Sequence, residues 1–185
     1  MAFAPASLIL ANNNLPINRA LGYKESLVFE IRLDDLSGSQ IIALLEEHLV
    51  DMQATSPPES KHALDLDALK SPTIKFWTIW DNDNLAGCAA YKVIDKTHAE
   101  IKSMRTSSDY KNQGVASTLL NYLINDAREN GYKRLSLETG SMDYFKPARS
   151  LYKKHGFSYC SPFSDYTDDP NSKFMYLNLS SEVVA

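Results

Sequence analysis

The first third of the chain changes from strand-like alternation to helical spacing. Residues 27–33 (LVFEIRL) alternate apolar and polar side chains, which predicts a first strand with its apolar residues on one face. Beyond residue 40, apolar residues recur at helical spacing until the turn-forming segment 56–60 (SPPES) ends the pattern. A short helical turn is predicted within 62–69 (HALDLDAL). The longer predicted helix carries Ile41, Leu44, Leu45, His48, Leu49 and Met52.

The middle of the chain is typical of an antiparallel meander. Two strand-like runs within 75–94 are joined by residues 81–84 (DNDN), which have the composition of a hairpin turn. A third strand is predicted at 98–106 (HAEIKSMRT).

The last third alternates helices and strands. An apolar stripe from Val115 to Ala127 predicts an amphipathic helix that ends near Gly131. The next strand, 133–139 (KRLSLET), follows a strand-helix unit, so the crossover rule makes it parallel to the strand 98–106. A helix at 144–155 and two strands around the turn-rich segment 161–172 complete the chain. This order predicts an α/β fold with a mixed central sheet and helices on its faces.

Chain length and segment composition predict one folded domain. The chain has 185 residues, the size of a single domain with its own core. Residues 1–25 lack periodicity and are interpreted as an N-terminal arm, and residues 26–185 as the domain. Residues 1–11 are short, broken by Pro5 and not preceded by a Lys or Arg, so they do not fit a signal peptide. Since no apolar run reaches the ~18 residues of a membrane span, we expect a cytoplasmic protein with no membrane partner.

Charge and cysteine content exclude two classes of function. The chain has 19 Lys and Arg against 23 Asp and Glu, a net charge of −4, and no basic run that could neutralise a series of phosphates. We therefore expect no nucleic-acid partner. Cys88 and Cys160 have no closely spaced Cys or His that would indicate a zinc site, so we expect no metal and two reduced thiols.

The junction between the strand 98–106 and the helix at Val115 is a candidate anion site. Backbone N–H groups at a helix N-terminus have no partner within the helix and lie at the positive end of the helix dipole. Gly114 allows close approach of a ligand, and Ala116 keeps the side-chain wall low. The alternative is an ordinary strand-to-helix connection with a turn glycine. The candidate residues are Lys111, Asn112, Gln113, Gly114, Val115, Ala116, Ser117 and Thr118.

Three segments in this order resemble the GNAT superfamily of acetyl-CoA-dependent N-acetyltransferases. They are the strand EIKSMRT, the loop Lys111-x-x-Gly114-x-Ala116 and the later ARSLYKKHGF, and the resemblance spans about 27–179. The run from LETGSMDYF onward further resembles a subgroup of small bacterial acetyltransferases. The resemblance implies a GNAT-like acyl-CoA N-acyltransferase fold, with acetyl-CoA as cosubstrate and its pyrophosphate bound by backbone amides of the loop. Lys111 stands where the family has Gln or Arg, and a cation is retained there.

The resemblance also implies a wedge between the strands 98–106 and 133–139 that receives the pantetheine arm. The backbone of Met104, Arg105 and Thr106 would then pair with pantetheine amides, and an N–H there would hold the thioester oxygen as charge develops on it. The alternative is an ordinary core strand. The family often has an Asn contacting the coenzyme three residues before the helix alanine, whereas this chain has Phe145.

Tyr152, on the second predicted helix, is the candidate general acid. The leaving group is a thiolate, whose conjugate acid has a pKa of about 8.5 by analogy with cysteine, and a phenol of pKa about 10 can protonate it. Many GNAT enzymes use a tyrosine at this place. The alternative is a half-buried packing aromatic beside Leu151.

The candidate base is a carboxylate, because an alkylammonium must lose a proton before it attacks. Glu138 is favoured because it lies at the carboxyl end of a sheet strand, where ligands bind in α/β sheets. Glu100, or bulk water, is the alternative, although Glu100 is expected at the closed end of its own strand.

The acceptor is predicted to be a primary amine of a small molecule. An acidic turn at 165–169 would favour a cation, while Lys102, Arg105 and Arg149 could bind a carboxylate or phosphate, and an amino-acid-like acceptor reconciles the two. The alternatives are a protein lysine acetyltransferase, which needs a broad acceptor groove, and a non-catalytic acyl-CoA-binding module. The sequence leaves open whether the protein forms a homodimer.

Overall fold

A computed structural model describes residues 28–55 and 65–180. The predicted arm at 1–25 and the helix-ending segment 56–60 lie outside the described residues. None of the helices in the described ranges has the length and apolar character that a membrane-spanning helix requires.

The described residues form four α-helices and seven strands, together with 3₁₀ turns at Ser108–Tyr110 and Asp143–Phe145. In chain order the elements are β1 (Glu30–Leu33), α1 (Ser39–Thr55), α2 (Leu66–Leu69), β2 (Ile74–Asp81), β3 (Asn84–Val93), β4 (His98–Thr106), α3 (Val115–Glu129), β5 (Arg134–Gly140), α4 (Lys146–Lys154), β6 (Ser158–Cys160) and β7 (Ser172–Asn178).

All seven strands belong to one mixed sheet of order β1-β2-β3-β4-β5-β7-β6. Every neighbouring pair is antiparallel except β4 and β5, which are parallel. The α/β class, the mixed sheet, the meander and the parallel pairing expected across α3 are therefore confirmed.

The sheet separates two apolar layers. On one face, α3 and α4 pack on alternate residues of the central strands, among them Trp77, Ile101 and Leu137. On the other face, α1 and α2 cover residues such as Phe76 and Ala90. Because side chains alternate along a strand, the neighbours of Ile101 and Leu137 in β4 and β5 point to the face that α1 and α2 share.

The parallel pairing of β4 with β5 is short. It runs from His98 opposite Arg134 to Ile101 opposite Leu137 and then ends, although both strands continue. Just beyond this point β4 bulges: Cys88 pairs with Arg105 and Ala90 with Lys102, so two β4 residues oppose Ala89. Ser103, one of the two, has a φ of +50°. Such a bulge bends and twists the strand, so β4 parts from β5 at the place where the resemblance implies a wedge.

Two expectations about local structure need correction. The first strand, predicted over 27–33, begins only at Glu30, and on this edge strand Leu33 is 72% exposed while Phe29 and Ile31 are half-buried. The helix predicted from residue 144 begins with the 3₁₀ turn Asp143–Phe145, and regular helix starts at Lys146. Phe145 is buried there and packs so closely on Gly140 that a Cβ at Gly140 would lie 2.2 Å from its ring.

Candidate active site

The loop before α3 has the backbone of an anion cradle. Asn112 has a φ of +61°, and Gly114, the N-cap of α3, has a φ of +86°. No side chain caps this end of the helix, and a Cβ built on Gly114 has no atom within 4 Å in the described residues. The first-turn N–H groups of α3 therefore lie beside open space, where an anion can bind them.

The side chains of the predicted anion loop serve different purposes. Val115 is buried in the core, so only its backbone can face a ligand. Gln113 donates its side-chain amide to the Asp109 carbonyl at 2.7 Å, which stabilises the loop itself. Lys111 and Thr118 are exposed, and Ala116 is half-buried.

Tyr152 lies beneath the opening between β4 and β5. It is buried, its ring packs against Phe157, and its hydroxyl donates to the sulfur of Met104 at 3.6 Å. Burial raises the pKa of Tyr152, and the negative charge of Glu138 raises it further. The phenol therefore stays protonated across the physiological pH range, while the same shift makes it a weaker acid toward a thiolate whose conjugate acid has a pKa of about 8.5.

Glu138 lies in β5 at the first position beyond the pairing with β4. Its carboxylate accepts a hydrogen bond from the Ser172 hydroxyl at 2.7 Å, and its side chain is half-buried. Its charge acts on both Tyr152 and Tyr166, so the candidate acid and the candidate base belong to one electrostatic environment.

Glu100 lies within the paired part of β4, as expected for the closed end of its strand. It is opposite Ser136, one register pair before the pairing with β5 ends. The side chain of Glu100 is 5% exposed, and its carboxylate lies 2.7 Å from the Lys102 ammonium and accepts a hydrogen bond from the Tyr166 hydroxyl at 2.6 Å. Lys102 also donates to that hydroxyl at 2.5 Å. This arrangement is a neutralised buried ion pair, and it makes Glu100 the weaker candidate base.

The remaining cations near the opening are also engaged. Arg105 forms ion pairs with Glu47 at 2.6 Å and Asp51 at 2.5 Å, which tie β4 to α1. Arg149 donates to the backbone carbonyls of Gly140 and Met142. The guanidinium groups considered for binding an acceptor carboxylate thus hold the walls of the opening together.

Cys160 does not form a catalytic pair with His155. His155 is hydrogen-bonded to Ser117 at 2.7 Å and to Asn121 at 2.9 Å. Burial raises the pKa of the Cys160 thiol, which opposes its use as a nucleophile. Both cysteines are free thiols, and Cys88 is fully buried.

Several residues of the site escaped the sequence reasoning. Tyr166 looked like part of a solvated acidic turn, yet its ring packs on Phe163 and Phe174 and its hydroxyl meets a residue 66 positions away. No sequence pattern marks Ser172 as a site residue either, because its contact with Glu138 arises only from the pairing of β7 with β5. The aromatic residues Phe163 and Tyr166 within the turn-rich segment 161–172 were the sequence feature that could have indicated a packed turn.

Comparison with known proteins identifies relatives of the chain. The family model described as the acetyltransferase (GNAT) family matches residues 41–157. YsnE of Bacillus subtilis (strain 168), an uncharacterized N-acetyltransferase, is 55% identical over 145 residues, which are 78% of this chain and 96% of YsnE. YedL of Escherichia coli (strain K12), another uncharacterized N-acetyltransferase, is 45% identical over 152 residues, 82% of this chain and 96% of YedL.

Solved structures share the fold. A Klebsiella pneumoniae protein named as an acyl-CoA N-acyltransferase superposes with a TM-score of 0.70 and 26% identity, covering 83% of this chain and 99% of that one. A GNAT family acetyltransferase from Elizabethkingia anophelis, solved with acetyl-CoA bound, has a TM-score of 0.58 at 18% identity and covers 81% of this chain and 97% of its own.

The buried ion pair generates a stability prediction. Glu100→Gln leaves the Lys102 ammonium, whose side chain is 12% exposed, without its carboxylate partner. We expect the free energy of unfolding to fall by about 3 kcal/mol in urea denaturation, because an uncompensated charge stays buried. The double variant Glu100→Gln/Lys102→Met removes both charges and should recover most of that loss. Unchanged stability in Glu100→Gln would contradict the assignment of Glu100 to a structural pair.

Proposed function

The chain belongs to the acetyltransferase (GNAT) family and is an acetyl-CoA-dependent N-acetyltransferase, and from that premise we propose that it acetylates a primary amine of a small molecule by direct attack. Glu138 receives the proton of the amine, Tyr152 protonates the leaving thiolate, and the loop before α3 binds the coenzyme. The observation that carries the proposal is the opening between β4 and β5, with both groups beside it and the anion loop at the end of β4.

The residues present fit coenzyme A. Gly114, at a φ of +86°, presents a cradle that no described side chain fills, next to N–H groups suited to a diphosphate. The opening offers β4 backbone from Met104 to Thr106, whose pairing with β5 has ended. The same fold holds acetyl-CoA in the Elizabethkingia anophelis protein. We assign the diphosphate to Asn112–Ala116 and the pantetheine amides to the β4 edge.

Acetyl-CoA supplies a thioester whose carbonyl carbon accepts the amine. In this proposal, backbone N–H groups of β4 near Met104 polarise the carbonyl oxygen as negative charge develops there. A C–N bond forms and the C–S bond breaks. The hydroxyl of Tyr152, which contacts Met104, gives its proton to the departing sulfur.

Glu138 accepts the proton that the acceptor ammonium group loses. An alkylammonium with a pKa of about 10 is almost wholly protonated at neutral pH, so a base must take one proton before the nitrogen attacks. The nitrogen gives up a second proton to solvent as the C–S bond breaks and the amide forms. The Ser172 hydroxyl holds one oxygen of Glu138, which orients the carboxylate at the start of the opening. The proton passes to that carboxylate directly or through one water molecule.

The shape of the acceptor side favours a small molecule over a protein lysine. An aromatic cluster of Phe163, Tyr166 and Phe174 lies beside Glu138, since Phe174 is directly opposite Glu138 in the register of β7 and β5, and such a cluster suits a small acceptor. Since Lys102 and Arg105 are already ion-paired, the amino-acid-like acceptor considered from sequence has less support than a simple amine. A screen of turnover against panels of amines, amino acids and lysine peptides tests this choice, and preference for the peptides would overturn it.

Two glycines of α3 give a matched test of the coenzyme site. Gly114 and Gly131 flank the helix with φ values of +86° and +84°, and among the described residues no atom lies within 4 Å of a Cβ built on either glycine. Alanine at either position should therefore cost a similar ~1 kcal/mol of stability. Calorimetry should show weaker coenzyme A binding for Gly114→Ala and unchanged binding for Gly131→Ala. Equal coenzyme A affinities in the two variants would show that the diphosphate does not bind at this loop.

Tyr152→Phe tests the general acid. The change keeps the packed ring and removes only the hydroxyl contact with the Met104 sulfur, so stability should hold. We expect kcat to fall about 100-fold or more while coenzyme affinity is unchanged, because proton delivery to sulfur is lost. Near-normal turnover would reduce Tyr152 to a packing residue.

Glu138→Gln tests the base through pH. The variant must rely on the fraction of free amine, which grows as pH rises, so its deficit in kcat/KM should be largest near neutral pH and shrink toward the amine pKa of about 10. Ser172→Ala, which removes only the orienting hydroxyl, should give a smaller deficit. A deficit independent of pH would assign deprotonation elsewhere.

A further inference from the structure

A chain of hydrogen bonds links α4 to the first turn of α3. Ser117 is the third residue of α3, and its hydroxyl is 2.7 Å from Nε2 of His155. Nδ1 of the same ring is 2.9 Å from Oδ1 of Asn121, one helical turn further along α3. His155 is the C-cap of α4 and lies three residues after Tyr152.

The partners of the ring fix the state of each nitrogen. Because an amide oxygen only accepts hydrogen bonds, Nδ1 must carry a proton to bond Asn121. In the neutral ring Nε2 is therefore the acceptor, and the Ser117 hydroxyl gives its proton to it. The serine hydroxyl is thus turned away from the anion cradle, although Ser117 follows directly after the Asn112–Ala116 cradle in the first turn of α3.

Protonation of His155 reverses this arrangement. Nε2 then carries a proton and donates to the Ser117 oxygen, which releases the serine O–H for a ligand. The same step adds a positive charge next to the anion loop. Both changes favour a bound diphosphate, and no change of backbone is needed.

Resting on the proposed function, we propose that His155 is a positioning residue of the coenzyme site, acting through Ser117 on the diphosphate. The loop motif already accounts for the backbone amides; this inference adds a side-chain contact whose donor direction His155 controls. When the His155 ring is neutral, only the backbone amides bind the diphosphate. When the ring is protonated, the Ser117 hydroxyl becomes a further donor and the imidazolium adds a positive charge. Affinity for the diphosphate and proton affinity of His155 are then coupled and reciprocal.

The groups around His155 determine the direction of the coupling. Burial lowers the pKa of His155 below its ordinary value, and the positive charge of the adjacent Lys154 lowers it further. From α3 the ring faces the uncharged Ser117 and Asn121. The free protein therefore holds a neutral ring at pH 7, and a bound diphosphate raises the pKa. A group whose pKa rises on binding adds affinity below its free pKa and loses it as pH rises through the bound pKa.

The test measures binding of dephospho-coenzyme A, whose diphosphate does not titrate between pH 5 and 8, whereas the 3′-phosphate of coenzyme A titrates near pH ~6. In wild type, calorimetry should give a Kd that tightens about three- to tenfold from pH 7.5 to pH 5. NMR titration of the His155 ring should show its pKa rising when dephospho-coenzyme A is bound.

Two variants separate positioning from mere packing. Ser117→Ala keeps the titrating ring but removes the hydroxyl that transmits its state, and His155→Gln removes the titration. Both should fold, as checked by thermal melting, and both should flatten the pH dependence of Kd. A full pH dependence in His155→Gln, or a His155 pKa unchanged by ligand, would overturn the inference while leaving the coenzyme site intact. No binding to wild type at any pH would overturn the proposed function as well.

Discussion

The structure depends on a parallel strand pair that is allowed to form over only four register positions. β4 and β5 pair from His98 and Arg134 to Ile101 and Leu137 and then separate, with the bulge at Ser103 turning β4 away. A parallel pair inside a sheet is normally buried on both faces, and its backbone groups are satisfied by its neighbours. Ending that pairing early leaves backbone donors and acceptors available within the sheet, which suits a ligand that itself carries amides.

Three cationic side chains near the opening connect its walls through ion pairs or hydrogen bonds. Lys102 neutralises Glu100, Arg105 joins β4 to α1 through Glu47 and Asp51, and Arg149 caps the carbonyls at the end of β5. Lys102, Arg105 and Arg149 are the three cations that the sequence analysis considered for binding an acceptor carboxylate or phosphate. Buried ion pairs contribute little net stability, but breaking one is costly, and this favours a single arrangement of the walls.

Local patterns predicted the elements well because their causes are local. The bounds of β4 match the expected 98–106, and α3 begins at Val115 as its apolar stripe indicates. The site was harder, because its contacts join residues far apart in sequence. The hydroxyl of Tyr166 meets Glu100 across 66 positions, and Glu100 itself lies one register pair from the opening. The bulge at Ser103 also has no marker, since neither glycine nor proline occupies it.

Hydrogen–deuterium exchange with and without coenzyme A tests the central claim most directly, namely that the gap beyond Ile101 and Leu137 is the coenzyme site. The account predicts that the amides of 102–106 that face the gap rather than β3, and the amides of the loop and first turn at 112–117, exchange quickly in the free protein and become protected on binding. The paired amides of 98–101 should already be protected and change little. Protection confined to other parts of the chain, with the gap-facing amides of 102–106 and the amides of 112–117 unchanged, would contradict the account.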